Sequence, residues 1–174
     1  MKFAEITGLL TETFGEGVVL ATQDQGLMPI LTVTTSKLWD ICYFLWSDER
    51  LFFDYLACIT AIDNGPQVNT MEVVYNLNSI PYSTAFAMKV LLPRNQEGEP
   101  LPVVASVADI WRTADWHERE AYDLFGIHFE NHPDLRRILL PEDWKGYPLR
   151  KDYQAQDEYH GIRVAYEDRQ DPAS

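Results

Sequence analysis

Four side chains in the C-terminal half, His117, Glu118, His128 and His132, are of the types that carry proton or metal chemistry. A histidine beside a glutamate could serve general acid–base catalysis, and three histidines with a carboxylate could ligate a metal ion. Their spacing fits neither. The histidines match neither the His-Glu-x-x-His pattern of a zinc-protease helix nor zinc-finger spacing, and His132 precedes Pro133, where turn geometry accounts for it. A metal-dependent hydrolase built on Glu118 and these histidines is therefore the disfavoured reading from another functional class. The chain has no glycine-rich phosphate loop, nucleophile elbow or Cys-x-x-Cys pair. Cys42 and Cys58 sit in apolar surroundings without the companions a cluster needs, so they read as structural thiols. His160 reads as a solvated residue of the polar tail. No catalytic residue, metal site or cofactor site is predicted in this chain.

Glu118 is informative for another reason. Asp115 reads as a helix N-cap with Glu118 three residues on, and Gly126 as the stop, which predicts a helix of about three turns. On a helical wheel Glu118 falls among Ala114, Ala121, Tyr122 and Phe125, so its carboxylate turns with the apolar face. Arg119, Glu120 and Asp123 fall on the other side. A carboxylate held against a core is costly without a donor, and arginine meets one with two parallel hydrogen bonds. Arg136, Arg137 and Arg150 are the expected partners.

The elements that must position these residues follow from periodicity and punctuation. Phe3, Ile6, Leu9, Leu10 and Phe14 predict a first helix over 3–14. Residues 18–22 and 30–35 read as a strand pair, and 37–62 as helical, with a second short helix over 51–59 before Asn64-Gly65-Pro66. Residues 71–77 and 85–92 read as two further strands of one antiparallel meander. After the polar loop 93–102, Ser106 and Asp109 have the form of a cap, opening a last helical region that runs to Gly126. From Glu130 onward Pro133, Pro141, Pro148 and Pro172 break every periodic window, yet Leu135, Leu139, Trp144, Tyr147, Leu149, Tyr159 and Tyr166 are too apolar for a disordered tail. Such a segment needs a surface to lie on. The expected fold is α+β: helices packed on a mainly antiparallel sheet, with a core domain over 1–129 and an extended, partner-docking tail over 130–174.

Composition bounds the partners. The formal charge of −13 over 174 residues argues against nucleic acid. Of the 14 lysines and arginines, five precede residue 111 and nine follow it, so positive charge gathers in the C-terminal part. The most apolar run, 38–46, is interrupted by Asp40 and is far shorter than the roughly 20 residues that span a bilayer. Membrane association is expected through partners only. The first residues lack a secretory pattern, so the chain is expected to stay where it is made, in cytoplasm or an organelle interior.

The run Trp116 to Ile127, WHEREAYDLFGI, continued by His132 to Leu139, HPDLRRIL, resembles the signature of the complex I 30 kDa family, the C subunits of NADH dehydrogenase. So do Leu140 to Trp144, LPEDW, and Gly146 to Tyr153, GYPLRKDY. Less distinctive similarity covers most of the remaining chain, and the compact length is similar to the J subunit of the cyanobacterial and chloroplast NAD(P)H-quinone oxidoreductase. The resemblance implies a cofactor-free, structural peripheral-arm subunit of a proton-pumping NAD(P)H- or ferredoxin-plastoquinone oxidoreductase. Its tail would lie along the large quinone-site subunit, with the iron–sulfur clusters and quinone held by neighbouring subunits. It further implies a peripheral place on the cytoplasmic or stromal side of a thylakoid membrane, in photosynthetic cyclic electron flow. The residues expected to build the interface are Glu118, Arg119, Glu120, Asp123, His132, Arg136, Arg137, Trp144, Arg150, Lys151 and Tyr153. A neighbouring reading is an accessory module of a membrane-bound nickel–iron hydrogenase.

Overall fold

The computed structural model describes residues 2–96 and 98–163; Glu97, and Tyr166 and Pro172 of the tail, lie outside the described residues. The apolar spacing of the first segment forms α1, Phe3–Phe14, which buries Ile6 and Leu10 and ends at Gly15 with φ 91°. Strands β1, Val19–Gln23, and β2, Ile30–Val33, pair antiparallel as expected. Helix α2, Leu38–Ser47, follows and buries Leu38, Ile41, Cys42 and Leu45 on one stripe.

The second short helix expected over 51–59 is a strand instead. Strand β3, Tyr55–Asp63, buries Leu56, Ile59, Ala61 and Asp63, and pairs antiparallel with β4, Thr70–Ser79. The apolar run carries both periods, and the long pairing with β4 decides for the sheet. Strand β5, Thr84–Pro93, completes the antiparallel meander β3-β4-β5, and β2 joins β5 in parallel, giving the order β1-β2-β5-β4-β3. The sheet is thus mainly antiparallel within an α+β fold. Met71, Val73, Tyr75 and Leu77 of β4 and Phe86, Met88, Val90 and Leu92 of β5 face the core with the stripes of α1 and α2. Each such side chain contributes about 1.5–3 kcal/mol on burial.

The last helix is shorter than expected. Residues 106–113 form turns, and α3 spans Ala114–Phe125. Asp115 therefore lies in the first turn rather than at the cap. Thr113, at the cap position, spends its hydroxyl on the Leu56 carbonyl of β3 at 3.1 Å. A parallel pair that local patterning does not reveal, β6 (Val103–Ala105) with β7 (His128–Glu130), brackets this region and fixes the 106–113 turns against α3. Beyond β7 the chain runs without a helix to a small hairpin of β8, Glu158–Tyr159, and β9, Ile162–Arg163. Both cysteines are free; Cys42 is buried, and half-buried Cys58 accepts a hydrogen bond from Asn76.

Candidate subunit interface

Glu118 is fully buried, as the wheel predicts, but its partner is no arginine. Its carboxylate accepts the Ser106 hydroxyl at 2.6 Å and the Val107 N–H at 2.8 Å, both from the turn after β6. The arginines expected there are engaged elsewhere, because the turn reaches Glu118 from its own side of the helix. Ser106, expected as a helix cap, accepts the Ala108 N–H locally and points its own proton at Glu118. Burial pushes the Glu118 carboxyl up to about 7 against the pull of Ser106 and Val107, with Asp109 and Asp115 adding repulsion.

Asp123 and Arg119 correct the wheel, since both are buried rather than turned to solvent; Glu120 alone of that trio is exposed. The wheel assumes one dry face, whereas α3 lies between the sheet and the C-terminal segment and is dry on two. Asp123 accepts Arg137 Nη1 at 3.1 Å and the backbone N–H groups of Ile138, Leu139 and Leu140 at 2.7–3.0 Å. One carboxylate thus satisfies a turn of proline-broken chain that has no sheet or helix partner. Arg119 donates to the Arg136 carbonyl at 3.3 Å and lies 5.1 Å over the Trp116 ring. Arg136 itself is exposed and pairs with Asp134.

The C-terminal end of α3 is held by Arg150. Its guanidinium donates to the last helical carbonyl, Phe125, at 2.7 Å, to Gly126 at 3.3 Å and to the Asn95 side chain at 2.8 Å. A cation at that end meets the negative pole of the helix. Burial, and then repulsion by Arg94, hold its pKa below the ordinary arginine range. Arg137 and Arg150 both lie over the Tyr147 ring, at 5.5 and 4.8 Å. That ring packs on Gly126, whose φ is 69°, so closely that an added Cβ would come within 2.5 Å of it.

A second anchor lies at the far end of β3. Asp63 is buried and accepts Arg94 Nε at 2.9 Å, the Gly65 N–H at 3.0 Å and the Lys151 N–H at 2.8 Å. Arg94 also donates to Asp152. Burial works to raise the Asp63 carboxyl, and the Lys151 amide, Arg94 and the Gly65 amide outweigh it and hold it below the ordinary value. Trp144 donates to the Tyr153 hydroxyl at 3.1 Å, closing the strap on itself. His132 has a fully buried side chain and sits against Asp115 and Glu118. Six of the eleven expected residues therefore gather in three knots, Glu118 with His132, Asp123 with Arg137, and Arg150 with Lys151 beside Asp63. Trp144 pairs with Tyr153, Arg119 and Arg136 lie apart from the knots, and Glu120 is exposed. Sequence reasoning missed Asp63, Arg94, Asn95 and Asp152. Asp63 gave the one available signal, a lone acid closing an apolar run just before Asn64-Gly65-Pro66.

Fastened from beneath, the segment turns apolar side chains outward: Leu139 is 61% exposed and Leu149 51%, although the Leu149 N–H is bonded to the Leu124 carbonyl; Trp116 of α3 is also 63% exposed. Among the described residues no group of three or more His, Cys, Asp or Glu is arranged to hold a metal ion, and no helix is long and apolar enough to cross a membrane.

The family model described as the respiratory-chain NADH dehydrogenase 30 Kd subunit matches residues 31–159, a span that holds all three knots. The chain belongs to this family. Among its relatives, the NADH-quinone oxidoreductase C subunit of Chloroherpeton thalassium is 47% identical over 160 residues, 91% of this chain and 63% of that protein. The chain thus spans just under two thirds of that relative's length. The protein of the same name from Chlorobium phaeobacteroides is 44% identical over 159 residues, covering 91% of this chain and 92% of its own. Among solved structures, a chain of the membrane-bound sulfane sulfur reductase, an archaeal respiratory membrane complex, matches over the full length of both chains with a TM-score of 0.72 and 22% identity. That likeness speaks for the fold.

Proposed function

We propose that this chain is a structural subunit of a quinone-reducing, proton-translocating complex of the complex I type. It docks through its C-terminal segment against the large quinone-site subunit and holds no redox centre of its own. The observation that carries the reading is a segment whose polar groups are satisfied inward, by Asp63, Asp123 and Arg150, while its Leu139 and Leu149 point out, as does Trp116 of α3. A surface of exposed aromatic and aliphatic side chains on a rigid backing suits a permanent contact with another protein of the complex. Its buried ions are committed to the fold, which supports reading the chain as a connector. Identities of 44–47% with proteins named as the C subunit of NADH-quinone oxidoreductase favour this parent over a hydrogenase. The narrower expectation of a plastoquinone-reducing, ferredoxin- or NADP-linked parent on a thylakoid membrane draws on the resemblance to the J subunit. The bacterial relatives carry the broader description of a quinone-reducing parent.

The test is affinity purification of the tagged full chain from its own solubilised membranes, with mass spectrometry and metal analysis. Co-purification with a large quinone-site subunit and iron–sulfur subunits is expected, together with no stoichiometric metal on the chain once separated. A chain that purifies alone, carrying bound metal and a hydrolase activity, would overturn the proposal.

A further inference from the structure

Around Glu118 the fold gathers acids: the charges of Asp109 and Asp115 act on it. His132 Nε2 lies 3.1 Å from the Asp115 carbonyl oxygen, 3.4 Å from Asp115 Oδ1 and 3.9 Å from Glu118 Oε2. Its Nδ1 accepts the Asp134 N–H at 3.0 Å, which places the ring proton of the neutral imidazole on Nε2, facing those three oxygens. The Asp134 turn thus closes on Nδ1 as an acceptor. Asp115 Oδ1 is itself buried without a hydrogen-bond partner. The groups that face Glu118 from the elements around it are Asp115 from α3, Asp109 and Ser106 from the turn after β6, His132 from the root of the strap, Tyr75 from β4 and Cys42 from α2. Among them Asp109 and Asp115 are the charges that repel an ionised Glu118. Ionising Glu118 therefore places a buried charge next to two like charges, with a hydroxyl and one amide as its donors among the described residues.

We propose that Asp115, Glu118 and His132 form a proton-operated joint at the root of the C-terminal segment: one proton on Glu118 closes it and loss of that proton loosens it. The elements it joins are α3, the Ser106–Ala108 turn and the His132–Asp134 turn from which the strap departs. A buried acid whose pKa is raised holds more protons in the folded state than in the unfolded one, so the joint is tight in acid and weakens as pH rises through neutrality. A pH change in the physiological range then reaches the base of the segment that docks the partner.

The experiment uses the full chain and its Glu118→Gln variant, which keeps the shape and cannot ionise. Between pH 5.5 and 8 the melting temperature of the wild type falls by at least about 3 °C more than that of the variant. Hydrogen exchange at the Val107 and Asp134 amides, corrected for its intrinsic pH dependence, rises about tenfold in the wild type and stays level in E118Q. Equal slopes and equal exchange in the two proteins would overturn the proposal. Should E118Q fail to fold, infrared titration of the wild type decides: a protonated buried carboxyl that disappears across this pH range supports the joint, and its absence at pH 5.5 overturns it.

Discussion

Asp123 receives one guanidinium and three consecutive backbone amides, so its removal strands four donors in a dry site. Asp123→Ala is expected to lower unfolding free energy by about 3–5 kcal/mol, and Asp123→Asn by less, because one oxygen still accepts. Urea denaturation of the two variants checks both the size and the order. Asp63 governs stability in acid. Its carboxyl is held below the ordinary value, so its stabilisation is fully present above the unfolded pKa of about 4 and is lost as pH falls through the lower folded value. Acid unfolding of Asp63→Asn should accordingly be flatter below pH 4 than that of the wild type, measured by circular dichroism. The opposite sign belongs to Glu118, whose contribution falls with rising pH. Which carboxylate would be buried was half legible: the wheel found Glu118 from four apolar neighbours, and could not find Asp123, whose dry surroundings come from chain more than a dozen residues away.

At the scale of elements, α3 is the pivot, and Gly126 is where it meets the strap. A side chain there faces both a positive φ and the Tyr147 ring, so Gly126→Ala should cost about 2 kcal/mol or more and displace Tyr147 from the two arginines. A thermal-melt shift with a changed tyrosine signal reads both effects; an unshifted melt would contradict the packing described. Sequence patterning located α1, α2, the first strand pair and the β4-β5 hairpin, because each has a clean local period. It failed at β3, where the run from Leu51 to Ile59 serves either period and pairing with β4 decides. It failed again at 106–113, where a cap-like Ser106 serves a carboxylate of the next helix. Both failures come from contacts remote in sequence.

For the molecule as a whole, the boundary expected near residue 130 divides the chain where composition changes, but the anchors cross it. Deleting 130–174 leaves Asp123, Asp63 and Asn95 without their strap partners, so the remaining piece should be at least about 3 kcal/mol less stable than the full chain, rather than an untroubled core. Urea midpoints of the two lengths test this. Charge pins the strap in both senses: Arg137 of the strap meets Asp123 of the core, and Asp152 of the strap meets Arg94 of the core, while Arg150 donates to the carbonyls that end α3. The most direct test of the docking account leaves those anchors intact and changes only the outward side chains. In a Leu139→Ser, Leu149→Ser double variant introduced into the native complex, folding of the isolated chain should be unchanged, with a melting temperature within about 2 °C of wild type. Retention of the variant by the large quinone-site subunit should fall by about tenfold or more. A folded variant retained as fully as the wild type would contradict the account.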